Sequence, residues 1–177
     1  MNRRQFVLAG LALPGCSTPG IKLDAPYVST PQSVVEAMLR LAGVRAGDVV
    51  YDLGCGDGRI VITAARDFGA TGVGFDIDPR RIEEANAMAK IAGVSGRVRF
   101  AVEDLFKTDF SAATVLALYL IPELNAKLLP KLRAELKPGT RVVSHQYRIG
   151  DWAPARSETA WSGSMDHQIY LWVVPAS

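Results

Sequence analysis

One string constrains this chain more than any other: Val49-Val50-Tyr51-Asp52-Leu53-Gly54-Cys55-Gly56-Asp57-Gly58-Arg59. An apolar run of strand length passes into three glycines at alternate positions, and helical spacing begins at Arg59. Lacking side chains, the glycines permit a tight turn and let a ligand approach the backbone closely. A dinucleotide fingerprint would read G-x-G-x-x-G, the third glycine packing helix on strand below a pyrophosphate. Here the spacing is G-x-G-x-G, with Arg59 in the place of that third glycine. Asp52, two residues before Gly54, would repel a pyrophosphate and attract an ammonium or sulfonium. The loop therefore favours a cationic cofactor with an amino-acid end and disfavours an NAD-dependent oxidoreductase. Cys55 has no histidine near it in sequence and reads as a small residue lining the loop, not as a reactive thiol.

Strands and helices alternate on both sides of this loop. Thr30-Pro31-Gln32-Ser33 can open a helix, with Thr30 as cap and Val34, Val35, Met38 and Leu41 on its apolar face. Helices are expected over 59–67, 79–92 and 122–136, the last kinked or split at Pro130, and strands over 49–53, 71–76, 98–102, 114–120 and 140–145. The segments 157–161 and 168–174 are strand-like with no helix between them. The expected fold is α/β: a seven-stranded Rossmann-like sandwich, five parallel strands plus a C-terminal antiparallel hairpin. Trp161 and Trp172 read as packing residues of that hairpin.

Two further acids follow the second and third strands. Asp76, 24 residues beyond Asp52 and followed by Ile77, can accept both hydroxyl protons of a ribose; Asp78 is its rival. Glu103-Asp104-Leu105 can supply an acceptor for an adenine amine and a backbone N–H for its ring. A single strand-end aspartate is commonly a helix cap or a turn residue. Three such acids at the carboxyl ends of consecutive strands, where α/β sheets bind ligands, make a nucleoside site the stronger reading.

Composition excludes several other classes. With 177 residues, 49% hydrophobic and 21% charged, the chain suits one folded domain, and no apolar run reaches the length of a spanning helix. Of 20 Lys plus Arg, Arg3 and Arg4 lie in the first twenty residues, which leaves 18 to balance 18 acids. A neutral body lacks the electrostatic footprint of nucleic-acid binding. Cys16 and Cys55 do not read as a disulfide pair, and no Cys or His spacing suits a metal. Residues 1–20 read as a signal segment: twin arginines, a short apolar stretch from Phe6 to Leu13, then Leu13-Pro14-Gly15-Cys16, similar to a lipoprotein processing box. Export with a lipid anchor at Cys16 is the expectation, and a cytoplasmic protein with a basic tail the alternative. Residues 21–30 follow as a linker and cofactor-closing segment, and 31–177 form the main domain.

The chain from Pro26 onward resembles class I S-adenosylmethionine-dependent methyltransferases. Four strings carry the resemblance: Pro26-Tyr27-Val28-Ser29-Thr30-Pro31, Asp52 to Ile62, Leu118-Tyr119-Leu120-Ile121-Pro122 and Val142-Val143-Ser144-His145. They are similar to the lysine methyltransferase family of the mitochondrial ATP synthase c-subunit and its bacterial relatives. The resemblance implies S-adenosyl-L-methionine as cofactor, held by Asp52, Gly54, Cys55, Gly56, Gly58, Asp76, Ile77, Glu103, Asp104 and Leu105, with Tyr27 and Thr30 closing over its methionine end. It implies a protein lysine as methyl acceptor. Tyr119 and Pro122 then lie on the acceptor side, with Trp152 and Tyr147 as walls of the pocket. His145, one of two histidines, is expected to accept a proton or to hydrogen-bond a loop, and His167 to be structural. Tyr119 positions more readily than it deprotonates, since a phenol ordinarily titrates near 10. A small-molecule methyltransferase and a non-catalytic cofactor-binding module at the envelope are the competing classes.

Overall fold

The computed structural model describes residues 27–176. The expected signal segment and the expected lipid anchor at Cys16 fall outside the described residues. The order of elements is α1 (Gln32–Leu41), β1 (Val49–Leu53), α2 (Arg59–Phe68), β2 (Thr71–Asp76), α3 (Pro79–Ile91), β3 (Val98–Val102), β4 (Val115–Leu118), α4 (Pro122–Glu135), β5 (Arg141–His145), β6 (Arg156–Trp161) and β7 (Asp166–Val173). They build one seven-stranded sheet in the order β3-β2-β1-β4-β5-β7-β6. The first five strands are parallel, and β7 runs antiparallel to both β5 and β6. The expected sandwich is the observed one.

Alternation along the central strands sorts the core into two layers. Val50, Val115, Ala117 and Val143 face α1 and α2, while Leu53, Leu116, Leu118 and Val142 face α4. A third cluster joins α2 and α3 to β3 through Val61, Ala65, Ala85 and Phe100. Because β1 and β4 sit side by side although β2 and β3 intervene in sequence, the chain reverses direction across the sheet between them. Such a switch point leaves a crevice at the carboxyl ends of the strands. The loop Gly54 to Gly58 opens into it. At the opposite end, Arg141 pairs with Asp48, which also accepts from Thr114, tying together the starts of β1, β4 and β5.

Three local expectations fail for identifiable reasons. Thr30 does not cap α1: its hydroxyl is engaged by His145, and no side chain caps that helix. Pro130 does not split α4, which runs through it with Leu128, Leu129 and Leu132 buried on one side. That burial offsets the missing backbone hydrogen bond. Trp172 is fully buried as a packing residue, but Trp161, on the edge strand β6, is 60% exposed.

Candidate cofactor and acceptor site

All three loop glycines have positive φ: 77° at Gly54, 52° at Gly56 and 77° at Gly58. Space forbids a side chain at two of them as firmly as the dihedral does. A Cβ on Gly56 would lie 2.2 Å from the Tyr27 ring, and one on Gly58 would lie 2.6 Å from Phe100. The Gly56 N–H points at Asp76 and donates to it at 3.0 Å, so the acid ending β2 also shapes the loop. Its other oxygen accepts from the Asp78 N–H. Asp78 itself caps α3 by accepting from the Arg80 N–H; both acids line the crevice, Asp76 from the strand end and Asp78 from the helix start.

The crevice holds two adjoining cavities. The larger is lined by Asp76, Ile77, Asp104 and Leu105 on one side and by Tyr119, Leu120, Leu124 and Leu128 on the other. The smaller is lined by Thr30, Asp52, Cys55, Asp57 and Arg59, and Tyr27, Gly54 and Tyr119 border both. A nucleoside with hydroxyls at Asp76 and a ring edge at Asp104 and Leu105 suits the first. The second is short and acid-lined. Asp52 is buried in its floor, and none of the described residues donates a hydrogen bond to its carboxylate. Burial, followed by the nearby charges of Asp76 and Asp57, pushes this carboxyl up to about 8. A buried acid left this way awaits a cation, and an α-ammonium fits it.

Tyr27 and Thr30 are held over this end by a residue that the sequence does not single out. Arg59 forks onto Asp57 and sends a third N–H to the Thr30 carbonyl at 2.8 Å. Asp57 is thereby held below the ordinary carboxylate range despite its burial. The Arg81 guanidinium lies 4.6 Å from the centre of the Tyr27 ring. The Cys55 thiol is buried among Val61, Ile62 and Phe100, and burial with Asp52 beside it pushes its pKa up, so it stays an unreactive thiol.

Several expected residues stand elsewhere. Glu103 lines neither cavity; it accepts from the Thr108 hydroxyl. Trp152 packs on Trp172, whose indole N–H donates to its carbonyl, so it belongs to the core and not to a pocket wall. Pro122 starts α4, and its neighbours Leu120 and Leu124 face the cavity instead. His145 also lines neither cavity. It lies under Tyr119, ring centres 3.9 Å apart, with one ring nitrogen on Thr30 and the other on His167. Of the two roles expected of His145, its contacts match hydrogen-bonding: it supports Thr30 and Tyr119, which line the cavities. Tyr119 remains at the surface of both cavities, with Tyr147 stacked 6.2 Å from it. Burial, then Tyr147, raises the Tyr119 phenol above its ordinary value, so it stays protonated.

Comparison with known proteins gives a consistent picture. A family model described as the ANTKMT methyltransferase domain matches residues 52–156. A protein-lysine N-methyltransferase of Saccharolobus islandicus is 49% identical over 84% of this chain and 93% of its own length. The mouse lysine N-methyltransferase of the ATP synthase c-subunit is 32% identical, and the match spans 85% of this chain but 63% of the mouse enzyme. A crystal structure described as an RNA methyltransferase from Salinibacter ruber, in complex with S-adenosyl-L-homocysteine, is 51% identical. It superposes with a TM-score of 0.80 over 85% of this chain and 95% of that one.

Proposed function

Since the chain belongs to the ANTKMT methyltransferase family and is an S-adenosylmethionine-dependent methyltransferase, we propose that its acceptor is the side-chain amine of a protein lysine. The 49% identity to a protein-lysine N-methyltransferase, over 84% of this chain and 93% of that enzyme, carries this reading. Five carboxylates line the two cavities, at Asp52, Asp57, Asp76, Asp78 and Asp104, against two guanidinium groups at Arg59 and Arg81. Charges of both signs are paired: Asp57 with Arg59, Asp78 with Arg80, Asp104 with Lys107, and Arg81 with Glu84. With Asp52 protonated at neutral pH, the lining keeps a small excess of acid, which suits a cationic side chain better than a phosphate backbone.

When bound, S-adenosylmethionine supplies a methyl group already activated on a sulfonium. The chain contributes alignment and dryness. Asp76, Asp104 and Leu105 would hold the nucleoside, Asp52 the ammonium, and Thr30 the carboxylate end. Tyr119 borders both cavities and so stands where the nucleoside and the methionine end of the cofactor would join, at the sulfonium. An acceptor amine must be neutral to attack. The apolar wall of Leu120, Leu124, Leu128 and Phe106 disfavours its charged form by desolvation. Tyr119, its phenol protonated, orients the amine and does not deprotonate it.

The likeness to the Salinibacter structure gives an RNA acceptor as the second reading. One experiment separates them: incubation with methyl-labelled cofactor and a lysate of the source cells, followed by protease or ribonuclease. Label in protein, recovered as methyl-lysine after hydrolysis, supports the proposal. Label in RNA or in a small metabolite overturns the acceptor while leaving the methyltransferase intact. For location, the twin arginines and Cys16 support export with a lipid anchor.

A further inference from the structure

Behind the cofactor cavity runs a buried row of polar groups, of which only Thr30 lines the cavity. Thr30 Oγ1 lies 3.1 Å from His145 Nδ1, and His145 Nε2 lies 2.9 Å from His167 Nδ1. All three residues are buried, at 4%, 1% and 8% exposure. The chain stops at His167 Nε2, which is buried and has no hydrogen-bond partner among the described residues. A neutral imidazole carries one N–H, so this row can be protonated in only two ways. In one, Thr30 donates to His145, His145 donates to His167, and His167 is left with a buried N–H that meets no acceptor. In the other, His167 donates to His145, His145 donates to Thr30, and His167 keeps a bare lone pair.

Buried N–H groups without an acceptor are rarer in proteins than buried acceptors without a donor. The second arrangement is therefore favoured, and it has a consequence at the site. A Thr30 oxygen that accepts from His145 keeps its own O–H free, and Thr30 lines the acid-floored cavity. We infer that the His145–His167 pair is a positioning device that fixes the Thr30 hydroxyl as a donor toward the carboxylate of the cofactor's methionine end. Asp52 then answers the ammonium and Thr30 the carboxylate of the same group. A charged His145 is not needed: burial, then the neighbouring His167, lowers its pKa to about 4. This inference rests on the cofactor reading above, and its tests can fail separately from it.

Long-range proton–nitrogen NMR of the imidazoles in the whole protein, labelled with ¹⁵N-histidine, reads the tautomers directly. Both histidines should carry their proton on Nδ1; a proton on His145 Nε2 overturns the inference. Binding supplies the second arm. His145→Leu should weaken S-adenosylhomocysteine by about three- to tenfold, below the loss of a whole charged hydrogen bond because Thr30 remains. It should leave 5′-methylthioadenosine, which has the nucleoside but no amino-acid end, within about twofold. His145→Asn, whose amide can donate from the Nδ1 position, should recover most of the loss. In a Thr30→Val background His145→Leu should change nothing further. Equal loss of both ligands would mark His145 as merely structural and overturn the proposal, as would no loss of either. A wild-type protein that binds neither ligand overturns the cofactor reading, and the tautomers still decide the histidine pair.

Discussion

Replacing Asp52 with asparagine keeps the shape of the side chain and removes its charge. In the free enzyme the Asp52 carboxyl titrates at about 8 because it is buried and lies near Asp76 and Asp57. One pH unit below that value, at pH 7, it holds roughly 0.9 of a proton. An ammonium docked against it returns it toward the ordinary carboxylate range near ~4, so binding expels that proton. Affinity should then rise about tenfold per pH unit up to pH ~8 and level off above. Calorimetry with S-adenosylhomocysteine at pH ~7, in two buffers of different ionisation enthalpy, measures the release directly. Asp52→Asn should release none, bind with little pH dependence, and at pH ~8 bind about ten- to a hundredfold more weakly than the parent. Stability moves the other way. A folded-state pKa of about 8 against an unfolded 3.8 means that Asp52 costs nothing below pH ~4 and progressively more as pH rises toward 8. At pH ~7 the cost is on the order of 4 kcal/mol, so the ligand-free variant should melt above the parent there, and the gap should close toward pH ~4. Proton-neutral binding by the unaltered enzyme, or a variant less stable than the parent at neutral pH, would refute the reasoning.

Three other outcomes are expected. Arg59→Ala frees the Thr30 carbonyl and unpairs Asp57, so the KM for the methyl donor should rise by about tenfold in steady-state assays, with a smaller change in kcat. Tyr119→Phe keeps the ring on His145 and loses only the hydroxyl, so calorimetric affinity for S-adenosylhomocysteine should stay within about twofold while turnover falls by about tenfold or more. Arg3→Lys with Arg4→Lys should leave the protein in the cytoplasm with its melting temperature unchanged, as cell fractionation would show.

The cofactor half of the site is legible in the sequence because its signals are local. Asp52, the glycines and Asp76 sit on or beside strand ends, and strand ends can be read from apolar runs and turn residues. The rest depends on the distant pairing of segments. Arg59 looks like a helix-opening residue beside an acid; its third bond is to Thr30, 29 positions earlier, and nothing in the spacing announces it. His145 and His167 meet because β7 folds back antiparallel on β5, pairing His145 with Ile169 and so setting His167 beside it. A shift of register by one residue would turn His167 to the other face. Thr30 reads as a helix start by its type, and the competing partner that takes its hydroxyl lies 115 residues away. Glu103 and Asp104 are adjacent, but only Asp104 faces the cavity, a choice made by the turn after β3.

The chain leaves the sheet at opposite ends. Tyr27 stands at the rim of both cavities, and Thr30 leads directly into α1. Val174, just past β7, lies at the far edge, where its carbonyl accepts from Gly139 and its N–H donates to Thr140 at the start of β5. Tyr27, the first of the described residues, therefore stands beside the opening. A fusion partner joined directly before Tyr27 would crowd the acceptor's approach, while one joined after Val174 would stand clear of it. A tether at Cys16 would keep the opening near the surface holding it. Cys16 comes eleven residues before Tyr27, a leash of at most ~40 Å. Acceptors protruding from that same surface would then be held within reach of the opening.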